Sequence, residues 1–521
     1  MTDFHQPMQR AQARLISGER RQSVEEMRLN AARAANGFRS MGLSDGDSVA
    51  ILMRNDFAFF EASLGAGLIG AYATPINWHF TADEVRYILQ DCNAKVLVAH
   101  ADLIPQLIGS IPAGVRLLVV ATPAEIAAAY GLAVPAGFSC EGGADWDMWL
   151  TQHSSAAPDA GAPPASMVYT SGTTGRPKGV RRNRPTPEQR ILSEQHAAII
   201  YGLKADEPGV VLMNGPMYHS APNAYGMLAA RIGASIVLQA RFDAEEMLDL
   251  IDRYRVTHMH IVPTMFVRLL RLPAEVRARY ALSSLRHVVH GAAPCPIHVK
   301  RAMIDWWGPV ICEYYGSTET GIPVWHNAEE ALRKPGTVGR ALHGCTAKVF
   351  DDAGNELAPG RVGEIHMRAS FLPDFTYQGN AEKRQEIDRG GLVTVGDVGL
   401  IDEDGYIFLC DRKKDMIISG GVNIYPAEIE AVLIDMPGVK DCAVFGIPDE
   451  EFGESICAHI EVGEQGAVTA QEVRAHLASR LARFKVPRVI EFSAALPRED
   501  SGKIFKRKLR DPYWEKAGRS I

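Results

Sequence analysis

The chain has 521 residues, which is too long for one ordinary hydrophobic core, so we expect two or more domains. Its 46% hydrophobic and 22% charged residues are typical of a globular protein, and its formal net charge of −7 gives no reason to expect a nucleic-acid partner. The eight cysteines include no Cys-x-x-Cys pair, so we expect neither a zinc site nor a disulfide framework, and a reducing compartment.

No targeting or membrane-spanning segment is evident in the sequence. The N-terminus lacks a basic stretch followed by an apolar one, and no run of about 18 or more apolar residues occurs. We therefore expect a cytoplasmic protein. The sequence leaves open whether the protein touches a membrane surface or forms a homodimer.

Strands and helices alternate along the first part of the chain. Ser23 and Glu26 have the spacing of a capping box, which predicts a helix to about Phe38. Asp243 is the expected N-cap of a later helix. The other predicted elements are strands at 49–53, 95–99, 117–120, 236–238 and 259–262, and helices at 57–69 and 244–254. This alternation favours parallel α/β layers.

Two segments are candidate boundaries between domains. Residues 152–165 form a low-complexity stretch, which is either a linker between lobes or a surface loop. Five consecutive charges at 411–415 separate two apolar runs and leave a last segment of about 100 residues, a suitable size for a small domain. We therefore predict an N-terminal domain over 1–410, a hinge over 411–415 and a C-terminal domain over 416–521.

Residues 170–179, Thr-Ser-Gly-Thr-Thr-Gly-Arg-Pro-Lys-Gly, are the most informative stretch. Glycines let a backbone approach an anion closely, and successive N–H groups and hydroxyls can surround phosphate oxygens. A short apolar strand at 167–169 precedes the stretch, and no Walker A spacing fits it. A surface loop is the alternative. The order of the residues favours a phosphate site made by Thr170, Ser171, Gly172, Thr173, Thr174, Gly175 and Lys178.

A second candidate site follows at 314–320, Tyr-Tyr-Gly-Ser-Thr-Glu-Thr. A tyrosine offers a flat face to a purine, and Thr318 offers a hydroxyl to a phosphate oxygen. Glu319 offers the kind of oxygen ligand that Mg²⁺ prefers. Taken alone, this segment is equally consistent with an ordinary strand end.

Together the two segments resemble the signatures of the adenylate-forming superfamily, which includes acyl-CoA synthetases, adenylation domains of peptide synthetases and beetle luciferases. The resemblance extends over about residues 25–510. It implies a large layered α/β domain with a β-barrel-like portion late in it, followed by a small mobile α+β domain. It also implies ATP, Mg²⁺ and coenzyme A as cofactors and a small carboxylic acid as substrate.

The resemblance assigns roles within the second segment, which matches the Tyr-Gly-x-Thr-Glu motif of the family. Tyr315 would stack on adenine, with Gly316 next to it in the nucleotide site. Thr318 would contact the α-phosphate, and Glu319 would help to hold magnesium.

Two further matches concern the nucleotide. Gly291 and Ala292 match a turn that lies beside adenine and the acyl pocket in relatives, although a tight turn after a strand explains them as well. Asp397 matches the carboxylate that takes the ribose hydroxyls. The family motif has a threonine two residues before that carboxylate, whereas this chain has Val395 there and Thr394 one position earlier, which puts the role of the hydroxyl in doubt.

The hinge and the segment after it resemble those of CoA ligases. Arg412 would reach the ribose or the α-phosphate, and Lys414 falls at the position of the pivot residue of the family. Ser419, Gly420 and Gly421 match the segment past which pantetheine slides, since paired glycines present bare backbone. The alternative for this segment is a simple β-turn.

Two residues are the remaining catalytic candidates. Lys503 matches the family lysine that binds the carboxylate and the α-phosphate, and its ammonium would offset developing charge. His219 matches the histidine that lines the acyl pocket in relatives that activate fatty or aryl acids. Amino-acid adenylation domains typically have an aspartate there, and a lone histidine is often only a packed residue.

The resemblance implies an AMP-forming acid–CoA ligase that works in two steps through an acyl-adenylate. Lys503 would serve the first step and residues 419–421 the second, so the small domain would rotate about Lys414 between them. The mostly small or apolar residues at 219–229 favour a medium- or long-chain fatty acid. A bulky aryl or alicyclic acid, such as a cinnamate or a steroid side chain, is the alternative substrate.

Three other functions remain as alternatives. They are a luciferase-like oxygenase, an adenylation module that serves a carrier protein, and a nucleotide-binding protein without catalysis. The basic run at 181–184 has no assigned role. We expect it to be solvated, with the 3′-phosphate of CoA or an acidic partner as alternatives.

Overall fold

The structure is a computed structural model that describes residues 13–133, 142–159, 163–170, 177–413, 415–419, 422–449, 451–463, 468–498 and 504–516, without the side chains of Arg412 and Asn423. Its large domain contains the helices α1 (Val24–Ser40), α2 (Phe57–Leu68), α3 (Ala82–Asp91), α4 (Ala124–Tyr130), α5 (Trp146–Thr151), α6 (Pro187–Tyr201), α7 (Ser220–Ile232), α8 (Ala244–Tyr254), α9 (Pro263–Leu270), α10 (Ala274–Arg277), α11 (Ile297–Trp307), α12 (Ala328–Arg333) and α13 (Ala381–Glu386).

The strands of the large domain fall into three sheets. The first half of the domain contributes β1 (Arg14–Ser17), β2 (Arg20–Ser23), β3 (Ser48–Leu52), β4 (Tyr72–Pro75), β5 (Ala94–His100), β6 (Arg116–Val120), β7 (Gly143–Asp145), β8 (Val168–Thr170), β9 (Lys178–Arg182) and β10 (Val210–Met213). The second half contributes β11 (Ser235–Leu238), β12 (His258–Ile261), β13 (His287–His290), β14 (Ile311–Ser317), β15 (Gly321–His326), β16 (Gly339–Ala341), β17 (Cys345–Phe350), β18 (Gly363–Ala369), β19 (Phe375–Tyr377), β20 (Asp388–Arg389), β21 (Leu392–Ile401) and β22 (Tyr406–Arg412).

Two parallel sheets form the layers that the alternating pattern predicts. One has the order β4-β3-β5-β6-β7, and the other contains the parallel run β1-β11-β10-β12-β13-β14. Residues of α1, α2 and α7 share one hydrophobic core with strands of both sheets. All residues of β3 are buried, as expected for a parallel strand covered on both faces.

The second sheet continues in antiparallel order beyond β14, through β15-β16-β22-β21-β18-β17. These strands are the β-rich portion that the sequence places late in the large domain. A short antiparallel sheet, β8-β9-β19, carries the stem of the candidate phosphate loop. The antiparallel strands matter for function because the second candidate motif lies where β14 turns into β15.

The small domain is built around a sheet of its own. Its elements are β23 (Ile417–Ser419), β24 (Val422–Ile424), α14 (Pro426–Ile434), β25 (Val439–Asp449), β26 (Gly453–Val462), α15 (Ala470–Ala478), β27 (Val489–Ser493) and α16 (Lys506–Lys516). The strand order is β24-β23-β26-β25, with β27 parallel to β26. A separate core of α14, α15 and these strands makes this part an α+β unit.

The predicted helix boundaries are close to those observed. Ser23 and Glu26 form the expected reciprocal capping box of α1, an arrangement that contributes about 1 kcal/mol. Asp243 caps α8, which spans the predicted residues 244–254. Strand β22 continues to Arg412, so the first two residues of the predicted hinge, 411–412, lie in a strand. The β-ladder to β21 stabilises this extension.

Part of the low-complexity stretch lies on α1. The Asn36 amide donates to the carbonyl oxygens of Ser154 and Ala156, at 2.7 and 2.9 Å. Residues 154–156 therefore follow the surface of the large domain. None of the helices in the described ranges is both long and apolar enough to cross a membrane.

Candidate active site

The candidate phosphate loop is bounded by the hairpin of β8 and β9, in which Thr170 pairs with Lys178. The hairpin is anchored to α3, because the Tyr169 hydroxyl of β8 donates to Asp91 Oδ2 at the end of that helix at 2.6 Å. A Cβ atom on Gly179 would lie 2.8 Å from the Tyr169 ring, so only glycine fits this contact. The central candidates lie outside the described residues, and they are Ser171, Gly172, Thr173, Thr174 and Gly175.

Lys178 lies at the exit of this loop, with its Nζ atom 5.7 Å from the centre of the Tyr377 ring. Burial lowers the pKa of Lys178, and so does the charge of Lys383, while Glu386 and Glu319 oppose the shift. The ammonium is therefore partly desolvated next to a carboxylate of the second motif. An anion bound in the loop would compensate this charge.

The Thr318–Glu319 turn is connected to three neighbouring elements. Tyr377 of β19 donates its hydroxyl to Glu319 Oε1 at 3.0 Å, and Thr318 donates to Ser220 Oγ at the start of α7 at 2.9 Å. Arg182 of β9 donates to the carbonyl oxygens of Thr318 and Glu319, at 2.6 and 2.7 Å. The structure thus brings the second motif next to the phosphate-loop hairpin.

Tyr315 and Asp397 are in direct contact, although 81 residues separate them in the sequence. The Tyr315 hydroxyl donates to Asp397 Oδ2 at 2.7 Å, and both residues are 8% exposed. Gly316 follows, where a Cβ atom would lie 1.9 Å from the Gly321 carbonyl oxygen. The turn after Tyr315 therefore requires glycine, and the two adenosine candidates form one unit.

The displaced threonine before Asp397 has a definite structural role. Thr394 donates its hydroxyl to Glu364 Oε1 at 3.0 Å and accepts from the N–H of Gly396 at 3.0 Å. It thus supports the turn at Gly396, whose φ is +81°. Asp397 pairs across the β21–β22 ladder with Arg412, the other residue that the resemblance assigns to ribose. The backbone of Arg412 therefore lies next to that of Asp397.

The turn at Gly291 and Ala292 is tightly packed and strained. A Cβ atom on Gly291 would lie 2.6 Å from the Tyr314 ring, and Ala292 has a φ of +66°. A left-handed backbone at a residue other than glycine costs on the order of 1–3 kcal/mol and is found most often at functional sites. The Tyr314 hydroxyl lies 2.9 Å from His260 Nε2.

His219 lies at the N-terminal end of α7, immediately before Ser220, which accepts from Thr318. Its ring is 4.5 Å from that of Tyr218. Burial, and then the charge of His219, lower the pKa of His260 to about 4. His219 therefore lies between the Thr318 turn and a buried, neutral histidine.

Asn55 is a residue of this region that the sequence reasoning missed. Its Nδ2 atom donates to the Gly215 carbonyl at 2.8 Å, and its Oδ1 atom accepts from the N–H of Met217 at 2.9 Å. Asn223 donates to the Met217 carbonyl at 2.9 Å. The two asparagines fix the segment that leads to His219. The available signal was a polar residue three positions after the end of the buried strand β3.

A buried ionic cluster behind the two turns was also missed. The carboxylate of Glu313 is contacted by the ammonium of Lys300 and by Nε2 of His326, which lies 2.8 Å from it. Burial opposes ionisation of Glu313, but His290, Lys300 and His326 outweigh it and lower its pKa to about 2. His290 precedes the turn at 291–292, and Glu313 precedes the two tyrosines. These charges fix the strand ends from which both turns start.

The remaining candidates, at 419–421 and at Lys503, belong to the small domain. Ser419 pairs with Val422 across the β23–β24 hairpin and with Gly453 of β26. Arg498 and Ile504 form a β-bridge at the two ends of the segment that contains Lys503. Lys414, Gly420, Gly421 and Lys503 lie outside the described residues, and nothing is described of the Arg412 side chain.

The basic run at 181–184 is only partly the solvated patch that the sequence suggests: Asn183 and Arg184 are exposed, whereas Arg181 and Arg182 are half-buried. Arg181 stacks over Tyr72, with its Cζ atom 4.7 Å from the ring centre. Arg184 forms an ion pair with Asp45. Arg182 is directed to backbone carbonyls, as described above. Arg181 and Arg182 are covered by neighbouring residues because they belong to β9, an inner strand that is paired on both sides.

Comparison with known proteins identifies the family. Residues 4–372 match the model of AMP-binding enzymes, and residues 428–503 match the C-terminal domain model of the same enzymes. The chain belongs to the AMP-binding enzyme family. The resemblance to adenylate-forming enzymes and the expected fold class are thereby confirmed, and this AMP-binding enzyme is an AMP-forming acid–CoA ligase that uses ATP.

Relatives cover almost the whole chain. The long-chain-fatty-acid–CoA ligase FadD13 of Mycobacterium tuberculosis is 34% identical over 95% of this chain and 93% of its own length. The fatty acid–[acyl-carrier-protein] ligase ScoC of Streptomyces coeruleorubidus is 31% identical over 100% and 97%. The structure of the anthranilate CoA ligase AuaEII with anthranoyl-AMP matches with a TM-score of 0.85 and 26% identity, over 98% and 96% of the chains.

Proposed function

We propose that this ligase activates a hydrophobic carboxylic acid, with a medium- or long-chain fatty acid as the main candidate. The observation that carries the proposal is a buried aromatic cluster next to His219, in which the rings of Tyr225 and Tyr314 lie 6.2 and 5.7 Å from the ring of His260. His260 is 3% exposed with a pKa lowered to about 4, and burial raises the pKa of Tyr225 and Tyr314 well above its usual value. These side chains are uncharged at neutral pH, which suits an apolar tail better than an ammonium or a second carboxylate.

Two relatives support a fatty acid, since FadD13 and ScoC are named as fatty-acid ligases. A bulky aryl or alicyclic acid is the second candidate. The buried Tyr225 hydroxyl has no hydrogen-bond partner within the described part of the chain, and a polar ring substituent could satisfy it. AuaEII, named as an anthranilate ligase, shows that an aryl acid is activated on this fold.

The nucleotide would bind across the large-domain motifs. Tyr315 and Asp397, already in contact, would take adenine and ribose, and Thr318 would take the α-phosphate. The candidate loop and Lys178 would surround the β- and γ-phosphates. This assignment is supported by the way in which Arg182 and Tyr377 join the loop hairpin to the Thr318–Glu319 turn.

Magnesium fits this donor set. Mg²⁺ is commonly held by one or two carboxylates together with substrate phosphates, and Glu319 supplies one carboxylate beside the loop. No group of three or more potential ligating side chains occurs among the described residues, so phosphate oxygens would complete the coordination. Bound there, the ion would neutralise charge on the departing diphosphate.

The reaction would proceed in two displacements. A carboxylate oxygen of the acid attacks the α-phosphorus of ATP, and diphosphate leaves. The thiol sulfur of coenzyme A then attacks the acyl carbon, and AMP leaves. Lys503 would hold the carboxylate and α-phosphate in the first step, and residues 419–421 would line the thiol path in the second. The small domain, with its hinge at 411–415 and Lys414 as pivot, would rotate between the steps.

The compartment is inferred from the cysteines. Those in the described ranges are free thiols, which suits a reducing cytoplasm. Size-exclusion chromatography with light scattering would test whether the ligase forms a homodimer.

The test of the substrate is pyrophosphate release from MgATP over a panel of acids, with and without coenzyme A. We expect release that depends on coenzyme A and is greatest with one range of fatty acids. Turnover restricted to benzoates or cinnamates would overturn the fatty-acid assignment in favour of the second candidate. Release that is indifferent to coenzyme A would indicate another acceptor, such as a carrier protein.

A further inference from the structure

Arg182 makes an unusual set of contacts for an arginine in a basic run. Its Nη2 atom donates to the carbonyl oxygens of Thr318 and Glu319, at 2.6 and 2.7 Å, and its Nη1 atom donates to the Pro373 carbonyl at 3.1 Å. These acceptors are all backbone oxygens. The guanidinium therefore holds the chain at this turn and not the side chains that would meet ATP.

The guanidinium is suited to this task because it is planar and carries donors in a rigid fork. One nitrogen that reaches two successive carbonyls fixes the two peptide units that follow Thr318 and Glu319. Burial lowers the pKa of Arg182 to about 10, and the Glu319 carboxylate opposes the shift. The group thus stays charged at neutral pH, and its bonds to carbonyls are of the stronger, charge-assisted kind.

Arg182 also belongs to the strand that leaves the phosphate loop. Lys178 and Arg182 are the first and last residues of β9, and Val180 between them pairs with Tyr377 of β19. Tyr377 in turn donates to Glu319. One short strand and its neighbour therefore connect Lys178, at the end of the candidate loop, to the Thr318–Glu319 turn.

We propose that Arg182 is a positioning residue for the adenylation step, which holds Thr318 and Glu319 in register with the phosphate loop. The proposal rests on the function proposed above for Thr318 and Glu319. Arg182 does not need to touch ATP: it acts on the reaction through the placement of the hydroxyl and the carboxylate. A displacement of about 1 Å of such groups lowers rates by about 100-fold.

The neighbouring Arg181 provides a matched control. Successive side chains of a strand point to opposite faces, and Arg181 stacks on Tyr72 with hydrogen bonds of 3.4 Å to Gln378 Oε1 and the Gly46 carbonyl. Arg181 has the same charge as Arg182, lies on the same strand and is also partly buried. None of the contacts named here for Arg181 reaches the Thr318–Glu319 turn. If the arginines of β9 mattered only for a general reason such as folding, Arg181→Met would lower activity as well.

The experiment compares two half-reactions in the full-length enzyme. The variants are Arg182→Met and Arg182→Lys, with Arg181→Met as control and Glu319→Gln as reference. Adenylation is followed as pyrophosphate release over a series of Mg²⁺ concentrations, and thioester formation is followed from pre-made acyl-adenylate and coenzyme A. Arg182→Lys keeps the charge without the fork, and it serves as the second variant where Arg182→Met does not fold.

We expect both Arg182 variants to lower adenylation at least about tenfold and to require more Mg²⁺, with thioester formation changed less than about twofold. Arg181→Met should change neither half-reaction by more than about twofold. Equal losses in both half-reactions, or adenylation with unchanged Mg²⁺ dependence, would overturn the positioning role. An unchanged Mg²⁺ dependence in Glu319→Gln would instead refute the metal role of Glu319, on which the proposal rests.

Discussion

The candidate residues of the two domains are held in different ways. In the large domain they are bonded to one another: Tyr315 to Asp397, and the Thr318 turn to Arg182 and Ser220. These bonds join residues from distant parts of the sequence into a single group. These candidates are therefore held in place by contacts within the large domain alone.

The small-domain candidates are bonded within the small domain instead. Arg498, at one end of the Lys503 segment, donates to Asp441 Oδ2 at 2.6 Å and to Glu461 Oε2 at 3.1 Å. The N–H of Phe505, at the other end, donates to the Pro497 carbonyl at 2.8 Å. Both ends of the segment are thus bonded to other residues of the small domain.

In the proposed function, this difference separates the residues that would bind the nucleotide from the residues that the small domain would bring to it. A change in the Tyr315–Asp397 pair, which would hold adenosine, should affect every step in which AMP or ATP is bound. A change in a small-domain candidate should affect only the step for which that domain is placed. This contrast gives different signatures in the two half-reactions.

The largest expected effect is that of Lys503→Ala. Loss of the ammonium removes stabilisation of charge at the α-phosphate, so adenylation should fall about 100- to 1000-fold. Thioester formation from pre-made acyl-adenylate should stay within about threefold of the wild type. Pyrophosphate release and thioester assays, run in parallel, measure both.

Lys516→Ala is the control, since Lys516 is an exposed lysine of the same domain. It should leave both half-reactions unchanged. Equal loss in both half-reactions of Lys503→Ala would contradict the separation between the domains.

A smaller and broader effect is expected from Asp397→Asn. The change removes the charge that accepts from Tyr315 and, in the proposed function, from the ribose. Hydrogen bonds to a charged group contribute about 1.5–3 kcal/mol, so kcat/KM for ATP should fall about 10- to 100-fold. Thioester formation from acyl-adenylate should fall too, because AMP is bound in both steps.

Asp352→Asn is a suitable control, because the side chain of Asp352 is 92% exposed and pairs only with Lys413 among the ion pairs of the described residues. If Asp397→Asn lowered adenylation and left thioester formation unchanged, the two steps would not share the ribose site.

The sequence predicted much of this arrangement. Local patterns, such as the capping box at Ser23 and the alternation of strands and helices, identified the layered fold, because they depend on neighbours in the chain. The motif residues Tyr315, Thr318 and Asp397 are found close to other candidates. Their roles, and the role of His219, stay predictions.

The supporting residues could not be predicted, because their partners are distant in sequence. Asn55 is 160 residues from Gly215, and Arg182 is 136 residues from Thr318. A basic run looks solvated as long as the carbonyls around it are unknown. The role of the displaced Thr394 could not be predicted for the same reason, because its partner Glu364 lies on another strand.

The smallest expected effect concerns the stability of the large domain at low pH. His260 is buried, and its pKa of about 4 lies below the value of about 6.5 for an unfolded histidine. Above pH 6.5 neither state is protonated, and His260 adds no pH dependence. Between about pH 6.5 and pH 4 the unfolded chain binds the proton and the native state does not, so the free energy of unfolding decreases as the pH falls.

His260→Gln should reduce this dependence by up to about 1.4 kcal/mol per pH unit, the contribution of one proton. Glutamine keeps a polar group near the Tyr314 hydroxyl. Urea unfolding across this pH range measures the slope, with His298→Gln, a change at a half-exposed histidine paired with Asp435, as control. If the slope of His260→Gln equals that of the wild type, His260 is protonated in the folded enzyme, and the neutral acid-binding region inferred around it is wrong.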